Sequence, residues 1–157
     1  MALPEVCVVF LMRTGTDGLE VLLGDRRTGA GRGRLTGLGN AVRRGEAAHG
    51  AAVRGVLEEA GVGVEASDLR EAGVVERHFP TRRALSERAT VFVCRRFTGL
   101  PVPSEAIAPR WFALADVPYG RMRADTARWS PGVLRGGSVD ARFTFGVDLS
   151  TVVLEAN

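Results

Sequence analysis

The chain contains no lysine, so all 21 of its basic residues are arginine. Alanine, glycine and valine are abundant, which indicates a G+C-rich coding sequence, and the number of arginines therefore predicts little about function. The net charge of +3 suits an anionic ligand such as a phosphate ester. The 18 acidic residues are interspersed with the arginines, however, which argues against the segregated basic surface of a protein that binds nucleic acid polymers.

Cysteines and long apolar runs are also scarce. Cys7 and Cys94 lie in short apolar runs typical of strands, which favours two buried, reduced thiols over a disulfide. No run is long enough to cross a membrane, and residues 1–13 lack the pattern of a secretory leader. We therefore expect a cytoplasmic protein of one domain, residues 1–157, whose partner is a small metabolite and not a membrane.

Hydrophobic patterning predicts an α/β fold. Two segments are predicted as helices, residues 47–60 and residues 125–134, the second interrupted by Pro131. Six short runs rich in valine, leucine or phenylalanine and bounded by turn residues predict strands, at residues 6–12, 19–23, 73–79, 90–97, 110–112 and 142–147. These elements predict a mixed β-sheet with a helix on either side.

The first predicted helix has apolar residues at three- and four-residue spacing, which predicts one packed side. Gly55 weakens this helix by about 1 kcal/mol relative to alanine, and Gly61 is a natural stop. The predicted packed side consists of Ala48, Ala52, Val53, Val56, Leu57 and Ala60.

Residues 40–62 carry most of the functional information. They resemble the Nudix box, which runs Gly, five residues, Glu, seven residues, then Arg-Glu-apolar-x-Glu-Glu-x-Gly-apolar. Asn40 stands in place of the leading glycine, and Gly55 replaces the first glutamate of the Arg-Glu pair. The other seven specified positions match without a gap: Glu46, Arg54, Val56, Glu58, Glu59, Gly61 and Val62.

The resemblance implies a diphosphate hydrolase that uses magnesium or manganese. A hard cation binds carboxylate oxygens and neutralises phosphoryl oxygens, and Glu58 and Glu59 match the family's catalytic, metal-binding acids. Glu46 and Arg54 match a structural pair that fixes the preceding loop to the helix. Because Gly55 removes a third acid, the residues leave two alternatives open: a two-glutamate metal site, or no metal.

The resemblance extends over nearly the whole chain, and within the family it is nearest to the 8-oxo-purine nucleoside triphosphate diphosphatases. The segments that carry it are residues 31–46, 109–112, 116–119, 122–129 and 143–145. It implies the Nudix fold, an α/β/α sandwich. It also implies a set of substrate-binding positions: Arg34, Thr36, Glu76, Arg77, Arg123 and Asp125.

Several of these positions depart from the family pattern. Ala41 replaces a lysine and Ala106 a metal-site glutamate. In the base pocket, Thr36 replaces an asparagine, while Arg77 and Arg123 replace aromatic residues. The predicted pocket is therefore more charged and less aromatic than one built to sandwich a purine, which argues against an oxidised guanine as substrate.

Three functional hypotheses follow. The first is a metal-dependent hydrolase of a nucleoside diphosphate linked to another group, with Glu58 and Glu59 on the ion. The second is a metal-independent enzyme, isomerase-like or cyclase-like, that uses Asp125, His78 or Glu76 as acid or base. The third is a non-catalytic protein that binds a phosphorylated ligand.

Overall fold

The structure, a computed structural model, describes residues 2–29 and 31–157. It contains all six predicted strands, most of them longer than expected, and both predicted helices. In chain order the elements are β1 (Glu5–Gly15), β2 (Gly18–Arg26), β3 (Leu35–Thr36), α1 (Ala48–Ala60), β4 (Leu69–His78), β5 (Glu87–Cys94), β6 (Ile107–Ala113), α2 (Ala124–Leu134), β7 (Val139–Phe145) and β8 (Val152–Ala156). The short strands β3 and β8 were not predicted.

The strands form one mixed sheet. Its order is β3-β2-β1-β5-β4-β7-β8, with β6 paired to β2. The β1–β5 and β4–β7 pairs are parallel and the other pairs are antiparallel. The mixed sheet of the predicted α/β class is therefore confirmed.

The sheet separates two hydrophobic cores, and each helix packs into one of them. Side chains alternate along β1, so Val9 and Leu11 enter one core while Phe10 and Met12 enter the other. Helix α1 contributes Ala51, Ala52, Val56 and Ala60 to the first core. Helix α2 contributes Trp129, Val133 and Leu134 to the second. This arrangement is the predicted α/β/α sandwich.

The packed side of α1 differs from the prediction. Leu57 is 57% exposed, whereas Glu59 is only 4% exposed. The buried face therefore includes a carboxylate, Glu59, that the predicted packed side does not contain, and its burial requires a partner. The helix ends as predicted, because Gly61 adopts the left-handed conformation with φ of 69°. No helix within residues 2–29 and 31–157 is long and apolar enough to span a membrane.

Candidate functional site

The described residues form a cleft of about 560 Å³ that is lined from both sides of the sheet. Its walls come from the start of β1, from residues 36–41, and from side chains of α1, β4 and α2. Arg26 and Glu59 lie in this cleft, as do Arg77 and Arg123. The cleft thus joins the acidic helix of the Nudix-like box to the positions predicted to hold a base.

An ion pair between Arg26 and Glu59 occupies one part of the cleft. The Nη1 atom of Arg26 lies 2.5 Å from Glu59 Oε2, and Nη2 lies 3.3 Å from Oε1. Arg26 also donates to Thr36 Oγ1 at 3.3 Å and to the carbonyl oxygen of Gly37 at 3.1 Å. The backbone N–H of Gly39 donates to Glu59 Oε1 at 2.9 Å. Burial of Glu59 is therefore compensated by a guanidinium and a backbone donor.

Gly39 brings its backbone close enough to bind Glu59. Its φ is 117°, a conformation that side chains disfavour, and a Cβ at this position would lie 2.3 Å from the carbonyl oxygen of Cys7. The flanking residues are tied to β1, since Val9 and Leu38 exchange backbone hydrogen bonds. The glycine-rich segment is thus a cleft wall tied to β1 through Leu38 and to α1 through the Gly39 N–H.

Glu46 and Arg54 form a bidentate ion pair beside the cleft. Arg54 donates through Nε to Glu46 Oε2 at 2.9 Å and through Nη2 to Oε1 at 2.8 Å. These hydrogen bonds lower the pKa of Glu46 to about 2. In return, the Glu46 carboxylate raises the pKa of Arg54. Arg54 also donates to the carbonyl oxygen of Ala41 at 2.8 Å, so it ties the loop before α1 to the helix.

The two positions that depart from the Nudix box are in contact. A Cβ on Gly55 would lie 3.3 Å from Asn40 Oδ1, 3.3 Å from Gly39 Cα and 3.4 Å from the backbone nitrogen of Asn40. The Asn40 amide accepts from Arg54 Nη1 at 3.2 Å and donates to Glu58 Oε2 at 3.4 Å. A side chain at position 55 would therefore be crowded by Asn40 and Gly39.

The other part of the cleft contains a buried ionic network around Arg77, which is 4% exposed. Arg77 donates through Nε to Asp125 Oδ2 at 2.8 Å, through Nη1 to Glu87 Oε2 at 2.7 Å and through Nη2 to Thr126 Oγ1 at 3.4 Å. Burial lowers the pKa of Arg77, but the charges of Asp125 and Glu87 outweigh it, so the pKa ends above its ordinary value. The Trp129 indole donates to Asp125 Oδ2 at 3.0 Å.

Asp125 is fully buried and ionised. Burial raises its pKa, but the Arg77 charge and the Trp129 hydrogen bond outweigh burial and lower the pKa overall. Its Oδ1 atom has no hydrogen-bond partner among the described residues, and Arg123 Nε lies 4.0 Å away. An acid held in this way is a positioning group for Arg77, and its depressed pKa makes it a weak base.

The structure does not bring all the predicted site residues together. Glu76 and His78 point to the opposite side of β4 from Arg77, and His78 Nε2 lies 2.8 Å from Glu76 Oε1. Thr36 lines the cleft, whereas Arg34 lies outside it and contacts the carbonyl oxygen of Met122 at 3.5 Å. Of the three acid/base candidates, only Asp125 is therefore near the cleft.

Two residues of the cleft were missed by sequence reasoning: Arg26 and Glu87. Arg26 lies in an arginine-rich segment in which no single arginine stands out. Glu87 begins β5, and its register opposite Arg77 on β4 sets up their contact. No local sequence signal identifies either residue. Arg26 is paired with Glu59 of α1, and Glu87 is paired with Arg77 of β4, so each partner lies in a distant part of the chain.

The acids of α1, as arranged, do not fit a magnesium ion. Both oxygens of Glu59 already accept N–H donors, and the guanidinium of Arg26 would repel a second cation there. Glu58 is 45% exposed on its side chain and pairs with Arg54 at 3.3 Å and with Arg43 at 3.5 Å. Among the described residues, no group of three or more histidine, cysteine, aspartate or glutamate side chains could hold a metal ion.

The chain is similar to known Nudix proteins in sequence and in structure. The family model described as NUDIX domain matches residues 1–133. The oxidized purine nucleoside triphosphate hydrolase of Mus musculus is 32% identical over 126 residues, 80% of this chain and 79% of that protein.

Two solved structures share the fold. The MutT protein of Bacillus halodurans has a TM-score of 0.80 at 18% identity and covers 98% of this chain and 97% of its own. The NUDIX domain of Shewanella oneidensis NrtR, described in complex with ADP ribose, has a TM-score of 0.70 at 16% identity, with coverage of 87% and 88%.

Proposed function

This chain belongs to the Nudix family, and we propose that its cleft binds a nucleoside diphosphate joined to a further group and hydrolyses the diphosphate linkage. The observation that carries the proposal is the position of Arg26. Its guanidinium lies in the cleft and is held by Glu59 and by the carbonyl oxygen of Gly37. A guanidinium is a donor that proteins use for phosphoryl oxygens.

Nudix hydrolases generally use divalent metal ions, which neutralise charge on the diphosphate. In this chain we assign that electrostatic role to Arg26. The guanidinium orients the diphosphate and stabilises negative charge that develops on its oxygens, while Glu59 and Thr36 keep the guanidinium in place. This assignment differs from the sequence-based hypothesis, in which Glu58 and Glu59 hold magnesium or manganese.

The other part of the cleft supports a substrate other than an oxidised purine nucleotide. Arg77 and Asp125 form a buried ion pair, and Trp129 donates its indole N–H to the same carboxylate oxygen. An aromatic sandwich for a purine is therefore replaced by an ionic network. The cleft volume of about 560 Å³ lies within the usual range for small-molecule sites.

The test is a hydrolysis panel run with magnesium, with manganese and with EDTA. It includes ADP ribose, dinucleoside polyphosphates and an oxidised purine triphosphate, and products are separated by chromatography. We expect turnover of at least one diphosphate-linked compound, persistence of that turnover in EDTA, and little turnover of the oxidised purine.

Neighbouring arginines supply a matched pair of variants. Arg26→Gln removes the guanidinium from the cleft and should lower kcat by about 100-fold, the loss typical of one transition-state donor. Arg27→Gln makes the same charge change at an exposed residue that does not line the cleft, so kcat should stay within about twofold. Arg26→Lys keeps the charge and should restore part of the activity if the fold tolerates it.

Two results would overturn the proposal. Saturable ligand binding without turnover of any compound would favour the non-catalytic hypothesis. Activity that EDTA abolishes, and that Glu58→Gln lowers as much as Arg26→Gln does, would return the catalytic role to a metal ion on the two glutamates.

A further inference from the structure

A second cavity, of about 390 Å³, lies next to the cleft and shares Arg123 with it. Three further arginines line this cavity: Arg32 and Arg34 from the segment between β2 and β3, and Arg82 from the segment after β4. The described residues that line it include no acidic side chain. Four arginines thus line one cavity whose described walls contain no carboxylate.

The charges of these arginines are poorly compensated. Among the described residues, the side chains of Arg32 and Arg82 form no ion pair and no hydrogen bond with another residue, and Arg34 contacts only the carbonyl oxygen of Met122 at 3.5 Å. Arg123 lies 4.0 Å from Asp125, whose other oxygen is bound by Arg77. Burial, and next the positive charge of Arg77, lower the pKa of Arg123, and Arg34 adds to this effect.

The carboxylate of Asp148 does not neutralise these arginines. Asp148 follows β7, close to the residues of the cavity wall, but its carboxylate binds within its own turn. Its Oδ1 atom accepts the backbone N–H groups of Ser150 and Thr151, each at 2.9 Å, and Oδ2 accepts from Thr151 Oγ1 at 2.5 Å. The cavity therefore keeps an excess of positive charge.

Two stacked phenylalanines form part of the cavity wall. The rings of Phe79 and Phe145 are 4.5 Å apart and nearly parallel at 12°, and both residues are buried. The Arg123 guanidinium lies 5.7 Å and 5.8 Å from their centroids, so it is oriented partly by the aromatic rings. Leu149, on the wall of the same cavity, is the one described non-glycine residue with positive φ, at 62°.

We propose that this second cavity is a binding site for a phosphate group. Guanidinium groups of like charge repel one another, and an oxyanion of two or more charges placed between them removes that repulsion and accepts several N–H donors at once. Arg32 and Arg82 are exposed, so their side chains can move to contact such an anion. Arg34 and Arg123 are half-buried and line the inner part of the cavity.

Calorimetric titration of the whole chain with inorganic phosphate and inorganic diphosphate tests this proposal. The variant is the double substitution Arg32→Gln and Arg82→Gln, which removes two exposed guanidinium groups without touching the core. The control is Arg83→Gln, which makes a single charge change at an exposed residue beside Arg82 that does not line the cavity. Circular dichroism checks that each protein is folded.

We expect saturable binding to the unaltered chain. Affinity should fall by about tenfold or more in the double variant, since charge-assisted hydrogen bonds are lost, and by less than about twofold in the control. Equal losses of phosphate affinity in the double variant and in the control would mean that phosphate responds only to the net positive charge of the protein. That result would overturn the proposed site. The absence of saturable binding would overturn it as well, and so would binding lost in Arg26→Gln but kept in the double variant.

The phosphate can come from two sources, which a competition experiment distinguishes. If free phosphate is the ligand, it binds equally well when the cleft is filled with a nucleoside diphosphate. If the cavity holds a distal phosphate of the cleft's own ligand, the two compete. Both outcomes support the site, and neither depends on turnover, so failure of the proposed hydrolysis leaves this proposal standing.

Discussion

Neutralising Glu59 should lower the free energy of unfolding substantially, because this carboxylate is buried in an ion pair with Arg26. Glu59→Gln keeps the shape of the side chain, and the new amide oxygen can still accept the N–H of Gly39. The substitution removes the negative charge that neutralises Arg26. The side chain of Arg26 is only 13% exposed and that of Glu59 only 4% exposed. The substitution therefore leaves a guanidinium in the cleft wall without its counterion.

The magnitude follows from the burial of both partners. Removing one member of a fully buried ion pair costs about 3–5 kcal/mol, and the partial exposure of Arg26 lowers that to about 2–4 kcal/mol. For a chain of this size each kcal/mol shifts Tm by about 2–4 °C. We thus expect Glu59→Gln to lower Tm by about 5–15 °C, and the double variant with Arg26→Met to recover part of that loss.

The assay is thermal and urea unfolding of the two single variants and the double variant, analysed as a double-mutant cycle. Glu58→Gln is the matched control, since that neighbouring carboxylate is 45% exposed and its loss should cost less than about 1 kcal/mol. Equal effects of Glu58→Gln and Glu59→Gln, or a coupling energy near zero, would refute the reasoning. Manganese that stabilises the unaltered chain but not Glu59→Gln would also refute it, because the ion would then displace Arg26.

Three further predictions concern neighbouring contacts. A side chain at position 55 would crowd Asn40, so in urea unfolding Asn40→Gly should stabilise the Gly55→Glu chain but destabilise the unaltered chain, where it removes the hydrogen bonds of Asn40. Hydrogen bonds from Arg54 hold the pKa of Glu46 at about 2, below the ordinary 4.5, so their stabilisation is complete above pH 4.5 and is lost as the pH falls towards 2. Glu46→Gln should flatten that part of the stability profile, measured as the denaturation midpoint against pH. Asp125→Asn leaves a buried guanidinium with one acidic partner and should lower stability by about 3 kcal/mol in the same urea assay.

The sequence predicts the scaffold well because the patterns that define it are local. Runs of valine and leucine with alternating burial identify the long strands, and Gly61 marks the end of α1. Strand β3 has two residues and β8 is largely exposed, so neither carries enough apolar patterning to be recognised. Apolar patterning predicts the wrong side of α1 for Leu57, because it favours burial of an apolar side chain over burial of the nearby Glu59 carboxylate.

The arrangement of the cleft could not be predicted to the same extent, because it depends on pairings between distant elements. Arg26 and Glu59 are 33 positions apart, and Arg77 and Asp125 are 48 apart. Alternation along β4 does place Arg77 and His78 on opposite sides of the sheet, which separates the acid/base candidates. The choice of partner for each arginine, among 21, needs the folded structure.

The contact between Asn40 and Gly55 bears on how the departures from the Nudix box should be interpreted. A glutamate lost from position 55 by one chance change would leave a gap next to position 40. Instead, the Asn40 side chain lies 3.3 Å from the site of the missing Cβ and bonds to Arg54 and Glu58. The asparagine supplies neutral donors and acceptors where the box pattern has a carboxylate, and Arg26 supplies positive charge beside Glu59. The missing acid at position 55 and the guanidinium of Arg26 both make this end of the cleft less negative, which favours an anionic ligand there.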